Sequence, residues 1–159
     1  MKKSTHVSMY LTLALLSACG SGGGGAPAEP PTKAIVKLST SGAASQIGGV
    51  DVTIGLPTGV TVKATASPPE TDNGVVVASG QAAVSSTLIA TSGAGTVRIV
   101  LVNSGTNGFG TGEFATITCD LAEGTEPTAG DFTVQAAMVS DINGNSISGA
   151  TVAAGVVLE

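Results

Sequence analysis

The side chains that could break and make bonds are few, and they are poorly placed for it. The sequence holds one His (His6), one Tyr (Tyr10), two Cys (Cys19 and Cys119) and no Trp. His6 and Tyr10 lie ahead of Cys19, in a segment built like an export leader. Lys2 and Lys3 give it a positive start, and Val7 to Leu16 is an apolar run too short to span a bilayer. With the leader removed no imidazole remains, so neither a Ser-His-Asp nor a Cys-His arrangement can form, and a His-containing zinc site is impossible. Cys119 falls on the apolar side of an alternating strand with no basic neighbour in sequence to activate it. It reads as a small buried hydrophobe rather than a nucleophile. Glu123 and Glu126 are the remaining carboxylate pair of interest, since two carboxylates suffice for glycoside hydrolysis. They sit in a loop punctuated by Gly and Pro, where solvated charge is the plainer reading. The chain is expected to be no enzyme and to need no cofactor.

A metal site fares no better. Asp141-Ile142-Asn143-Gly144-Asn145 invites a calcium test, but a twelve-residue loop from Asp141 needs Gly at its sixth position and Glu at its twelfth. Those positions hold Ser146 and Val152. Asn143-Gly144 is instead a hairpin-turn dipeptide, because both residues tolerate positive φ. The Gly22 to Gly25 run lacks the Lys and the preceding strand of a phosphate loop.

The one position with clear covalent chemistry is Cys19. Leu16-Ser17-Ala18-Cys19-Gly20 looks like a bacterial lipobox, in which small residues precede the cut and the Cys becomes the acylated first residue. Residues 1–18 are therefore expected to be a lipoprotein signal peptide. Residues 19–32 form a Gly/Pro-rich tether whose Gly-rich coil spans roughly 20 Å. Residues 33–159 form one domain. The protein is expected to be exported and lipid-anchored to the envelope (the outer membrane in a Gram-negative cell), facing outward or into the periplasm. Losing Lys2 and Lys3 leaves four basic residues against eleven acidic ones, a net charge of −7. Such a chain lacks the clustered Lys and Arg that nucleic acid requires.

What must position the remaining side chains is a set of strands. Charged residues are 11 % of the chain, hydrophobic residues 42 %, and Gly numbers 23. That hydrophobic share argues against disorder, and the Val, Ala, Thr and Gly content suits an all-β sandwich or barrel. Glu113 to Leu121 alternates, with Ala115, Ile117, Cys119 and Leu121 on one side and Thr116, Thr118 and Asp120 on the other. Phe114 falls opposite Ala115. Asp131 to Val139 places Phe132, Val134, Ala136 and Met138 on one side, and an Asn-Gly turn then leads to a strand over Thr151 to Leu158. Earlier strands are expected at Ala34 to Ser39, Val50 to Ile54, Val60 to Ala64, Val75 to Ala78, Ala83 to Ala90 and Thr96 to Asn103. Ala83 to Ala90 also fits one or two helical turns. In Thr96 to Asn103, Val97, Ile99 and Leu101 oppose Thr96, Arg98, Val100 and Val102. The total is about nine short antiparallel strands, at the turn spacing of a sandwich.

These residues resemble a known family. Ile47-Gly48-Gly49-Val50-Asp51-Val52-Thr53-Ile54, a Pro turn and Val60-Thr61-Val62 are similar to the early signature of cohesin domains. Gly112-Glu113-Phe114-Ala115-Thr116-Ile117-Thr118 is similar to the cohesin strand with an Ala-Thr-Ile core. Ala129-Gly130-Asp131-Phe132-Thr133-Val134, followed by Asp141 to Asn145, resembles the closing hairpin region. The resemblance covers most of residues 33–159. It implies a nine-stranded jelly-roll β-sandwich akin to carbohydrate-binding modules, a dockerin-like protein partner, and a link to polysaccharide catabolism. The chain departs from the family at Gly55-Leu56-Pro57, where Tyr-Asp-Pro is common, and in its scarcity of aromatics.

Three functions follow as expectations. The first is a non-enzymatic, lipid-anchored surface module of cohesin type that holds a dockerin-like or other envelope protein. The second is a polysaccharide-binding module, and the third a structural envelope lipoprotein. Sugar binding leans on exposed Trp or Tyr rings, and after the leader only Phe109, Phe114 and Phe132 remain, with Phe109 in a loop open to exposure. For a protein partner, the outward residues Asp51, Thr53, Arg98, Val100, Thr116 and Thr118 form the candidate surface. The resemblance places Asp51 at the family's acidic strand position. The bland alternative is the polar outer side that any sandwich shows.

Overall fold

The computed structural model describes residues 29–65 and 69–159. The leader, Cys19 and most of the tether lie outside the described residues. Among the described residues nine strands are present: β1 (Lys33–Ser41), β2 (Ile47–Gly55), β3 (Val60–Thr61), β4 (Val76–Ala78), β5 (Ser86–Gly93), β6 (Thr96–Asn103), β7 (Gly112–Leu121), β8 (Thr133–Asp141) and β9 (Thr151–Leu158). They form two antiparallel sheets. Sheet A runs β3-β7-β1-β9, with β4 also paired to β7, and sheet B runs β5-β6-β2-β8. The chain passes repeatedly from one sheet to the other, which is the β-sandwich expected from the strand pattern, in the jelly-roll form that the resemblance implies.

Period-two alternation builds the core. Ala34, Val36 and Leu38 of β1, Val50, Val52 and Ile54 of β2, Val97, Ile99 and Leu101 of β6, and Ala115, Ile117 and Cys119 of β7 all point inward and are buried. For β6 and β7 these are the apolar sets that the sequence assigns to one side, with Leu121 of β7 only half-buried. A three-residue 3₁₀ turn and a four-residue one are the only helical pieces among the described residues. The four-residue one, Gly80–Ala83, precedes β5, so the ambiguous stretch is a short helical turn followed by a strand that begins at Ser86.

Four expectations need correction, each for a local reason. Phe114 is fully buried, because the β1–β7 register shifts between Leu38 and Ser39. Leu38 pairs with Ala115 and Ser39 with Glu113, so Phe114 is the extra residue of a bulge and turns inward beside Ala115. Phe109 is also buried; its N–H and C=O exchange hydrogen bonds with Ile47 at 2.9 and 2.8 Å, which draws the loop onto the core. Phe132, Val134, Ala136 and Met138 do not share a side. The β2–β8 register shifts between Thr53 and Ile54, so Gln135 is an extra residue, and Ala136 and Met138 lie opposite the outward Thr53 and Asp51. Finally, β3 ends at Thr61, since the chain then leaves the sheet; Ala64 bridges to Thr71 instead.

The Asn143-Gly144 turn forms as the dipeptide demands, with Gly144 at φ 82°. It does not join paired strands, however, because β8 belongs to sheet B and β9 to sheet A. Asp141 shapes the turn. Its carboxylate accepts the Asn143 and Asn145 N–H groups at 2.8 Å each and the Asn145 side-chain amide at 3.2 Å. Those bonds, the Asn145 N–H foremost, hold its carboxyl below the usual range. Gly48 is fixed by this loop: a Cβ there would overlap the Asp141 carbonyl oxygen.

Candidate docking face

The outer side of sheet B collects what the inward alternation leaves over. β2 presents Asp51 and Thr53, β6 presents Arg98, Val100 and Val102, β5 presents Thr87, Ile89 and Thr91, and β8 presents Ala136 and Met138. Cross-strand pairing sets them in rows: Thr53 lies beside Arg98 and Ala136, Asp51 beside Val100 and Met138, and Ile89 beside Val100. Large aliphatic groups are open to solvent here, with Ile89 57 %, Val102 54 % and Met138 57 % exposed. A shallow depression lined by Asp51, Thr53, Arg98, Ala136, Ala137 and Met138 runs between the strands.

The two charges on this face neutralise each other. Arg98 Nε donates to Asp51 Oδ1 at 3.0 Å and its Nη2 donates to Oδ2 at 2.6 Å, a fork-to-carboxylate pair. The hydrogen bond from Arg98 holds the Asp51 carboxyl below its usual value, and Asp51 in turn raises the guanidinium. The face thus offers aliphatic and hydroxyl groups around one neutral, pre-formed ion pair. Such a patch suits a protein surface more than solvent.

Of the six residues singled out from sequence, Asp51, Thr53, Arg98 and Val100 come together here. Thr116 and Thr118 do not; they point outward from β7, on the far side of the sandwich. Ile89, Val102 and Met138 were missed. The signal for Val102 was available, since β6 carries aliphatics on both parities and the outward pair Val100 and Val102 has no core to join.

Chemistry elsewhere is sparse. No group of three or more His, Cys, Asp or Glu side chains among the described residues is arranged to hold a metal. Cys119 is free and buried, and burial pushes its thiol up to about 12, away from a reactive thiolate. Glu123 and Glu126 are exposed.

No protein-family model matches the chain, and no curated protein does. Among solved structures, the chain is similar to a non-cellulosomal cohesin from the hyperthermophilic archaeon Archaeoglobus fulgidus. The TM-score is 0.53 at 15 % identity, over 75 % of each chain. The fold is therefore a cohesin-like β-sandwich.

Proposed function

We propose that the chain is a non-enzymatic, lipid-anchored module of cohesin type that holds a protein partner at the cell envelope through the outer face of sheet B. The observation that carries this reading is the exposed aliphatic set Ile89, Val102 and Met138 around the neutral Arg98–Asp51 pair. It lies on a fold similar to that of a cohesin. A dockerin-like protein is the partner this reading favours. Anchoring rests on Cys19: each buried acyl CH₂ contributes about 0.8 kcal/mol, and two chains suffice for stable attachment. Sugar binding has less to stand on, because Phe109, Phe114 and Phe132 are all in the core and offer no stacking platform.

The test pairs affinity capture from the host's secreted proteins with pull-down on cellulose, chitin and xylan. A protein retained by the native chain and lost with Met138→Asp supports the reading. Retention on a polysaccharide with no protein captured overturns it. For the anchor, Cys19→Ser should leave the protein unprocessed or released; a cleaved variant that still fractionates with membrane refutes lipidation.

A further inference from the structure

The rims of the two sheets are treated unequally. The β5 rim of sheet B is covered by the preceding excursion: Ser92 N–H donates to Pro69 O at 2.8 Å, and Thr71 N–H to Ala90 O at 3.1 Å. The far end of β8 is covered by its own loop, with Asp141 N–H bonded to Asn145 O and Ile147 N–H to Val139 O, both at 2.8 Å. The rest of β8 is interrupted by the extra Gln135. β3 and β4 are two and three residues long. Covering, bulging and shortening are the usual ways a β-protein keeps its edges from pairing.

β9 has no bulge and is not short, and the 3₁₀ turn Ala129–Asp131 that comes near it takes no backbone hydrogen bond from it. It pairs with β1 from Ala34↔Leu158 to Ser41↔Thr151 without a register shift, and with no other strand. It reads TVAAGVVL, without charge or Pro. Lys33 and Glu159 exchange both backbone hydrogen bonds at 2.9 Å. Antiparallel alternation then turns the N–H and C=O groups of Thr151, Ala153, Gly155 and Val157 toward β1. Those of Val152, Ala154, Val156 and Leu158 are aimed away from the sheet, where no strand of the described residues meets them.

We infer that β9 is a self-pairing edge: a second copy of the chain adds its own β9 antiparallel, making sheet A continuous across two protomers. The sequence suits its own copy. The register that satisfies every outward group sets Val152 opposite Leu158 of the second copy and Ala154 opposite Val156. Gly155 then sits on the two-fold axis, where two strands meet without side chains between them. Glu159 comes opposite Thr151 rather than another carboxylate, so no like charges face each other along the contact. Val157, 49 % exposed, gains Ala153 of the second copy beside it. A strand pair of this length covers on the order of 1,000 Å² in total, the low end of specific interfaces. The association is therefore concentration-dependent.

Two variants test it in the full chain. Ala154→Pro removes an N–H that β1 does not use, so the β1–β9 ladder survives. In sedimentation velocity the native chain should shift from monomer to dimer as concentration rises, while Ala154→Pro stays monomeric to at least roughly tenfold higher concentration, with an unchanged melting temperature. Gly155→Cys in a Cys19→Ser background should form a disulfide-linked dimer on mild oxidation. Residues at the non-hydrogen-bonded position lie about 4.5 Å apart between Cα atoms, within disulfide reach, and buried Cys119 does not compete. If Ala154→Pro fails to fold, the cross-link decides alone. A native chain that stays monomeric throughout, or a dimer that neither yields to Ala154→Pro nor cross-links at 155, overturns the inference.

Discussion

The two outer faces of the sandwich are built by the same alternation and come out with different charge arrangements and different amounts of exposed aliphatic side chain. Sheet A carries its charges as separate, solvated pairs: Lys33 Nζ is 3.5 Å from Asp120 and Lys37 Nζ is 3.7 Å from Glu113. Thr116 and Thr118 fill the rows between them, beside the exposed Val77 and Val157. Sheet B carries one forked pair and otherwise aliphatics and threonines. Loose surface pairs add little stability and keep a face wet. Sheet B has the larger exposed aliphatic set, Ile89, Val102 and Met138, and that difference is the ground for proposing the docking surface there.

The comparison breaks most completely if the frame holding both faces is lost. Phe114 sits at the bulge that sets the β1–β7 register, so Phe114→Ala should cost about 3–5 kcal/mol, measured by urea denaturation. A loss under about 1 kcal/mol would mean that the bulge is not fixed by this ring. Next in size is Cys119, on the inward side of β7. Cys119→Ser should cost about 1–3 kcal/mol, since a buried hydroxyl there gains no partner. The thiol also predicts a pH effect. Its ordinary value of 9.0 rises to about 12 on folding. The folded state thus keeps a proton that the unfolded chain releases first. The stability this lends is intact below about pH 9 and is lost as pH rises toward 12. The native chain's melting temperature should fall more steeply over that window than that of Cys119→Ser.

Smaller effects sharpen the contrast between faces. Arg98→Ala should lower folding stability only slightly, as loss of an exposed ion pair does, while weakening partner capture. Asp51 is held below its usual value, so the pair's contribution is present above the ordinary carboxylate pKa and lost as pH falls through the lowered one. Lys37→Ala should change stability by less than about 0.5 kcal/mol and leave capture untouched. Equal effects of these two substitutions on capture would erase the distinction between the faces.

Much of this was legible in the residues, and the gaps have physical causes. The inward sets of β6 and β7 follow from period two alone, and the strands expected at Thr96 to Asn103 and Thr151 to Leu158 have those bounds. Bulges were not legible: the extra residues Phe114 and Gln135 carry no local mark, because a bulge is a mismatch between two strands rather than a property of one. Alternation also separates outward from inward without saying which sheet a strand joins. That is why Thr116 and Thr118 were grouped with Asp51 and Arg98, although β7 and β2 lie in different sheets. The Asn-Gly turn was legible as a turn, but its neighbours' sheet membership was not.

The central claim is that a partner docks on sheet B. The most direct measurement is calorimetric titration of the captured partner into the native chain, Val102→Asp and Thr118→Asp. The account predicts that Val102→Asp weakens binding at least roughly tenfold, about 1.4 kcal/mol, while Thr118→Asp binds as the native chain does. Binding that survives Val102→Asp and is lost with Thr118→Asp would place the docking surface on sheet A and contradict the account.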